Sequence, residues 1–294
     1  MRRLAVALAF AGALACHTSS QQPPATSPAP APAASSTAAS ERHTHENLNG
    51  VLWMQSGAEY RASVLQAYRA ARTQLDAALN DKRWTAAVEQ TGDSSALPPA
   101  VVLDLDETVI DNSAFAARQM LDGGRYTPAS WVAWAEERKA NAIPGAVEFL
   151  KYARSKGVTP FYITNRDHQI EQATRENLAK LEIPVDTSRD TVLTRNENGW
   201  TQSDKSARRQ AVAANYRILL LVGDNFEDFI AGTLTTVENR FTILDTHADY
   251  WGAKWIILPN PTYGSWETAI TLGQGQLTDA RILAAKYKAL RTDR

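Results

Sequence analysis

The chain has 294 residues, 44% hydrophobic and 21% charged, a core-forming composition with room for one large domain or two small ones. Its 31 basic and 32 acidic residues leave a formal net charge of -1, which argues against a nucleic-acid partner or a polybasic membrane surface, so any anionic ligand has to be held by local charge. Cys16 is the only cysteine, which excludes an intrachain disulfide framework and a cysteine zinc cage.

The chain opens on Met1-Arg2-Arg3 and an apolar run from Leu4 to Leu14, too short for a bilayer helix of about 20 residues and shaped instead like a signal peptide. The run ends in Ala13-Leu14-Ala15-Cys16, which resembles the bacterial lipobox, whose cysteine is lipidated and becomes the first residue of the mature chain. Ala13 stands where Leu is more usual, and an ordinary signal-peptidase site with an incidental Cys16 is the alternative. Residues 1–16 are therefore expected to be a lipoprotein signal peptide, exporting the protein and anchoring it through a lipid on Cys16. His17 after the cysteine, rather than an acidic residue, points to the outer membrane by similarity to enterobacterial lipoproteins. Residues 17–46 are mostly Ser, Pro, Ala, Thr and Gln, with nothing large and apolar to bury, and read as a flexible tether. His43 and His45 lack a third ligand and receive no role.

Residues 47–294 read as the folded domain. Val51, Trp53, Met54, Ala58, Val64, Leu65, Tyr68, Leu75 and Leu79 fall at the spacings of an amphipathic helix or helical pair. A short helical piece is expected around Trp84 to Val88, and Thr91 to Pro99 turns into a strand. That strand, Val101-Val102-Leu103, runs directly into Asp104-Leu105-Asp106-Glu107-Thr108. In an open parallel sheet the ligand site lies just outside the carboxyl ends of the strands, and Asp104 and Asp106 would stand there. Such a pair can hold a hard cation through oxygen or divide into nucleophile and proton donor. Alone, the tripeptide fits a solvated turn or a helix cap equally well.

Helices are expected at Ser113 to Leu121 and, after the break at Asp122-Gly123-Gly124, at Pro128 to Lys139, which carries Trp131 and Trp134. Ile143-Pro144-Gly145-Ala146 opens a helix to Arg154, and Gly157 ends it before the strand Val158 to Ile163, which leads into Thr164-Asn165-Arg166. A helix from about Asp167 to Leu181, a strand at Thr191 to Leu193, a helix near Ser203 to Ala214 and a strand at Ile218 to Val222 continue the alternation, which implies an α/β fold with a Rossmann-like parallel sheet flanked by helices. The last of these strands runs into a second acidic cluster, Gly223-Asp224-Asn225-Phe226-Glu227-Asp228. Further strands are expected at Phe241 to Leu244 and Trp255 to Leu258, and a closing helix near Thr278 to Arg291.

Three strand ends thus present Asp104 and Asp106, then Thr164, then Asp224 and Asp228, with Lys205 on a helix between the last two. Taken singly, Thr164 reads as a helix cap, Lys205 as an exposed helix residue and Asp228 as a first-turn carboxylate. Together they suit Mg²⁺, an oxygen-seeking cation completed by water and phosphate, with a hydroxyl and an ammonium to grip that phosphate.

On these residues the chain resembles the haloacid dehalogenase (HAD) superfamily and, within it, the class C acid phosphatases of the lipoprotein e(P4) family. The resemblance spans roughly Val51 to Arg291 and rests on Val102 to Thr108, Trp131-Val132-Ala133-Trp134, Ile143 to Phe149, Tyr162 to Arg166, Asp204 to Arg209, Val222-Gly223-Asp224-Asn225 and Tyr263 to Glu267. Ile110 and Phe226 each stand where the family shows Leu. The resemblance implies helical cap segments at about 47–95 and 112–142, and an Mg²⁺-dependent phosphomonoesterase acting on nucleoside monophosphates. It makes Asp104 the nucleophile that forms an aspartyl-phosphate and Asp106 the acid and base. Asp104, the Asp106 backbone carbonyl and Asp224 would hold the ion, with Asp228 orienting water on it. Thr164, the backbone at Asn165 and Lys205 would hold the phosphoryl oxygens, and the rings of Trp131 and Tyr263 would grip the base. A broader small-molecule or sugar phosphatase is the nearer alternative, and a catalytically silent surface binding protein on the same fold the more distant one. The sequence does not disclose an oligomeric state.

Overall fold

Apolar runs without polar alternation mark strands covered on both faces, and the structure, a computed structural model, uses them in that way. It describes residues 45–292; the signal-peptide, lipobox and tether expectations for residues 1–44 lie outside the described residues. In chain order the elements are α1 (Leu48–Ser56), α2 (Ala58–Asn80), β1 (Pro99–Leu103), β2 (Ile110–Asp111), α3 (Ser113–Leu121), α4 (Pro128–Glu137), β3 (Asn141–Ala142), α5 (Ala146–Ser155), β4 (Thr159–Asp167), α6 (Glu171–Lys180), β5 (Val192–Arg195), α7 (Ser206–Ala213), β6 (Arg217–Gly223), α8 (Val237–Thr246), β7 (Trp255–Ile257), α9 (Ser265–Thr271) and α10 (Asp279–Ala289). Five strands form one sheet in the order β5-β4-β1-β6-β7, with every neighbouring pair parallel. The fold is α/β, and β1 sits at its centre. No helix among the described residues is long and apolar enough to cross a membrane.

The two faces of the sheet bury separate cores. Val101 and Leu103 of β1 pack with Tyr68 and Leu75 of α2 and with Phe149 and Leu150 of α5. Ala100 and Val102 point the other way and pack with Val212 of α7, Ile218 and Trp255. This period of two, with both faces covered, fixes the register of β1, because a slip of one residue would exchange the two sets. Leu105 continues the first set and is fully buried, which turns Asp104 and Asp106 away from that core. α2, which the sequence places in a cap segment, shares this core with the sheet.

Between β1 and β4 the chain makes an excursion that was legible only in part. Its helices α3 and α4 fall where the sequence placed them, but β2 pairs antiparallel with β3, so the excursion leaves and returns at one point. α4 starts on a capping box, in which Thr127 accepts the N–H of Ser130 (3.0 Å) and Ser130 Oγ accepts that of Thr127 (3.1 Å).

Several expectations need correction. Residues 84–88 are not helical. The Ala86 N–H donates to the Ile218 carbonyl (2.8 Å), the Ala86 carbonyl accepts Trp255 Nε1–H (2.9 Å), and Trp84 Nε1–H donates to Leu219 (2.8 Å). The segment thus serves β6 ahead of Leu221, where β7 begins to pair, and its backbone groups are unavailable to a helix. Phe241 to Leu244 is not a strand but part of α8, nucleated upstream where Thr236 accepts the Asn239 N–H and Glu238 occupies the first turn; a local cap overrides the β preference of that short run. Lys205 is the N-cap residue of α7 rather than a residue within it, β4 runs on past Thr164 to Asp167, and α9 was not anticipated.

Candidate active site

Asp104 begins where β1 stops, yet its N–H still donates to Val222 on β6 (2.9 Å), so its backbone is fixed by the sheet. The chain then turns tightly. The Leu105 carbonyl accepts from Val109 (2.8 Å) and Ile110 (2.9 Å), and Tyr68 Oη of α2 donates to Thr108 (2.6 Å). Glu107 takes the left-handed conformation (φ 59°), unusual for a residue with a side chain. Its carboxylate ties the turn down, Oε1 accepting the Asn112 N–H (2.8 Å) and Oε2 the Tyr263 hydroxyl.

The second acidic cluster forms on β6. Gly223 is required there for space: a Cβ would lie 2.3 Å from Asp228 Oδ2. Asp228 ends a 3₁₀ turn and is held by the Asn225 N–H (2.9 Å). Asp224 accepts from Thr108 Oγ1 (3.0 Å) and Asn260 Nδ2 (2.8 Å). Lys205, 4% exposed, donates from Nζ to Asp228 (2.6 Å) and to Asp104. Oxygen atoms of Asp104, Asp224 and Asp228 all lie within 4.8 Å of one another.

The third edge is β4. Thr164 is fully buried, its Oγ1 accepting the Arg166 N–H (3.1 Å) and its carbonyl accepting from Arg208 (2.5 Å). The Asn165 side chain is likewise occupied by Arg208 (2.7 Å), which leaves its backbone as the part free to act. Arg166 is buried and grips Asp106: Nη2 and Nε lie 2.8 and 3.0 Å from Oδ1, and Nε lies 3.2 Å from Oδ2. Asn112 Nδ2 also donates to Oδ1 (2.8 Å). Trp134, buried, donates to Asn112 Oδ1 (2.9 Å), whereas Trp131 is half-buried and its ring centroid lies 5.1 Å from the Arg166 guanidinium. Of the two tryptophans, Trp134 is core. Tyr263 is 46% exposed as a residue although its hydroxyl is tied to Glu107.

Charge at this locus is out of balance. Asp104, Asp106, Glu107, Asp224 and Asp228 converge, and among the described residues the cations in direct contact with them are Lys205 and Arg166. Burial pushes Asp104 well above the usual carboxylate range against the pull of Lys205, and the neighbouring aspartates push it further. Asp224 is driven up to about 8 by burial and then by Asp228, and Glu107 to about 8 by burial and Asp106. Burial alone would lower Lys205, but its two carboxylate partners outweigh it and the net shift is upward.

The model of the family described as HAD superfamily, subfamily IIIB (Acid phosphatase) matches residues 18–266. The chain belongs to that family. The class C acid phosphatase from Bacillus anthracis is 33% identical, with a TM-score of 0.73 over 84% of this chain and 97% of that one. A second structure of the Bacillus anthracis enzyme, with tungstate bound, matches at 32% identity and a TM-score of 0.72 over the same shares. The protein is therefore a phosphoric monoester hydrolase, and its substrate is a small phosphomonoester.

HAD phosphatases generally use a divalent metal, and the residues of this acid phosphatase fit one. The donor set is all oxygen, and the surplus of buried negative charge is what a divalent cation would neutralise. A second cluster, His168, Glu171 and Glu197, has comparable spacing. Its carboxylates are already engaged, Glu171 by Arg175 (2.6 Å) and Glu197 by the N–H and hydroxyl of Thr194 (3.0 and 2.9 Å).

The sequence brought Asp104, Asp224, Asp228 and Lys205 to one place but missed who holds them. Thr108 and Asn260 orient Asp224, and Arg166 and Asn112 orient Asp106. Arg166 stood inside a quoted motif, yet nothing in its spacing ties it to a carboxylate 60 positions away.

Proposed function

We propose that this acid phosphatase is an Mg²⁺-dependent 5'-nucleotidase that works through an aspartyl-phosphate on Asp104. The observation that carries the reading is the division of labour at the sheet edge: Asp104 is coupled to Lys205, while Asp106 is held apart by Arg166. Asp104 attacks phosphorus in line, and the Asp106 carboxyl gives its proton to the departing alkoxide. In the second half of the cycle Asp106 takes a proton from the attacking water. Lys205, Thr164 Oγ1 and the Asn165 backbone N–H bind the phosphoryl oxygens, on which most of the transition-state charge resides. Asp104, the backbone carbonyl of Asp106 and Asp224 would hold Mg²⁺, with Asp228 behind them, and the ion would supply positive charge beside those oxygens. The tungstate of the Bacillus anthracis relative supports an oxyanion site, since tungstate and phosphate are both oxyanions of high charge.

Trp131 and Tyr263 are proposed to take the nucleobase. Each is linked to the site through one polar group, Arg166 or Glu107, and neither residue is fully buried. Stacking accepts any base and contributes about 1–3 kcal/mol, or roughly tenfold to somewhat over a hundredfold in affinity. Trp131→Ala and Tyr263→Ala should each raise KM for nucleoside monophosphates by about that factor, with far less change on a small aliphatic phosphate. Tyr263→Phe, which keeps the ring and loses only the bond to Glu107, should stay near wild type. Equal losses on both substrates would place these rings in the core. The test of the function as a whole is an activity panel, with and without Mg²⁺, on a nucleotide, a sugar phosphate and a phosphopeptide; preference for the sugar phosphate would favour the broader phosphatase.

Export and lipid anchoring at Cys16 are also proposed, on the basic start, the apolar run and the position of the sole cysteine. Cys16→Ser should free the protein from bacterial membranes at unchanged specific activity. Unaltered fractionation and an unaltered mass of the mature amino terminus would favour the simple signal peptide.

A further inference from the structure

Arg166 lies at the site but has no place in the chemistry described so far. Its guanidinium is buried, and each of its three nitrogens donates: Nε and Nη2 to Asp106, Nη2 also to Asn112 Oδ1 (3.3 Å), and Nη1 to Thr174 Oγ1 (3.0 Å). Thr174 in turn donates to Ile170 (2.8 Å), so the far end of the guanidinium is anchored in the start of α6. The two oxygens of Asp106 are therefore unequal. Oδ1 receives Arg166 Nε at 3.0 Å, Arg166 Nη2 at 2.8 Å and Asn112 Nδ2 at 2.8 Å, while Oδ2 receives only the longer 3.2 Å contact.

We infer that Arg166 is a positioning residue for proton transfer: together with Asn112 it immobilises Oδ1 of Asp106 and assigns the proton to Oδ2. The inference rests on the proposed role of Asp106. In the first step the bond from phosphorus to the leaving oxygen breaks as the bond from phosphorus to Asp104 forms. The proton on Asp106 Oδ2 passes to the leaving oxygen, and the electron pair of the O–H bond stays on Asp106. The carboxylate so produced is the species that a guanidinium stabilises through charge-assisted hydrogen bonds, so Arg166 favours the transfer as well as aiming it. A lysine in its place would offer a point charge without the planar fork that distinguishes the two oxygens.

The readout is dependence on the leaving group. p-Nitrophenolate departs without needing a proton, whereas the 5'-oxygen of a nucleotide does need one, and general acid catalysis is worth about 10²–10⁴-fold. Arg166→Gln, assayed in the full chain with Mg²⁺, should lower kcat/KM, which reports phosphoryl transfer to Asp104 and not the later hydrolysis shared by both substrates, by about 10²-fold on a nucleoside monophosphate and by less than about fivefold on p-nitrophenyl phosphate. Arg166→Lys should lose about tenfold on the nucleotide alone. Asp106→Asn should show the same selectivity in kcat/KM, while its kcat falls on both substrates through the lost base of the second step, and adding Arg166→Gln to it should bring no further selective loss, because both act on one proton. Equal losses on the two substrates, a loss confined to KM, or additive effects in the double variant would overturn the inference, as would failure of both Arg166 variants to fold, which would make the residue a core strut. If Asp106→Asn itself showed no selectivity, the role given to Asp106 would fall first.

Discussion

Asp104→Asn should leave the chain folded and reduce turnover to the assay floor, at least about 10⁴-fold below wild type. The amide matches the carboxylate in shape but cannot become an acyl phosphate, so the covalent half of the cycle has no starting point. Stability should not suffer. Asp104 is buried beside Asp106, Asp224 and Asp228, and burial together with those neighbours already pushes it well above the usual carboxylate range, so a neutral group there relieves repulsion while the backbone bond to Val222 remains. The metal-free variant should melt at or above the wild-type temperature near neutral pH, which separates loss of chemistry from loss of fold. Wild-type turnover by a preparation whose mass excludes deamidation would remove Asp104 as the nucleophile.

Removal of divalent metal should have a comparable effect on activity and a second, independent one on stability. Treatment with EDTA is expected to silence the enzyme and Mg²⁺ to restore it; full activity after exhaustive chelation would contradict a metal site at Asp104 and Asp224. The stability effect follows from the carboxylates themselves. Asp224 rises from an ordinary value of 3.8 to about 8 in the folded, metal-free protein. Between those values the folded state holds a proton that the unfolded state has released, so stability must fall as pH rises through that window. The melting temperature of the metal-free protein should decline from pH 5 to pH 8. Mg²⁺ should flatten that decline and protect most at pH 8, where it does not compete with protons, by about 2.7 kcal/mol at a hundredfold excess over its dissociation constant. A metal-free protein whose melting temperature rises over this range would contradict the charge balance described for the site.

Much of the scaffold was legible because the signals were local. Val101 to Leu103 and Ile218 to Val222 are unbroken apolar runs that end in carboxylates, and a parallel sheet places such ends together whatever the rest of the chain does. The errors arose where a local signal met a stronger partner. Residues 84–88 look helical, but the open flank of β6 takes their backbone groups; Phe241 to Leu244 looks extended, but Thr236 has already started a helix. The hardest features to read were those in which one side chain decides the state of another far along the chain. Arg166 is separated from Asp106 by 60 positions and Tyr263 from Glu107 by 156, and no periodicity encodes such pairs. The carboxylates at the strand ends predicted an oxygen-rich site, whereas the partners of each oxygen came only from the fold.

The two-residue pairing of β2 with β3 makes the helical excursion between them a cassette. Because Ile110 lies opposite Ala142 and Asp111 opposite Asn141, the segment from Asn112 to Ala140 leaves and rejoins the chain at one clasp, and beyond Asn112 its hydrogen bonds to the rest of the fold run to helices rather than to the main sheet: Gln55 of α1 donates to Ser113 Oγ (3.2 Å), and Asn177 of α6 bonds both the N–H (3.1 Å) and the carbonyl (2.9 Å) of Ala140. Descendants of such a chain can exchange the surface that meets the organic part of a substrate while inheriting the phosphate chemistry intact. The exchange is bounded on one side, since Asn112, the first residue past the clasp, steadies Asp106 and is itself held by Trp134 from within the cassette. A graft at this point has to bring its own donor to Asn112 Oδ1, or it will alter reactivity along with recognition.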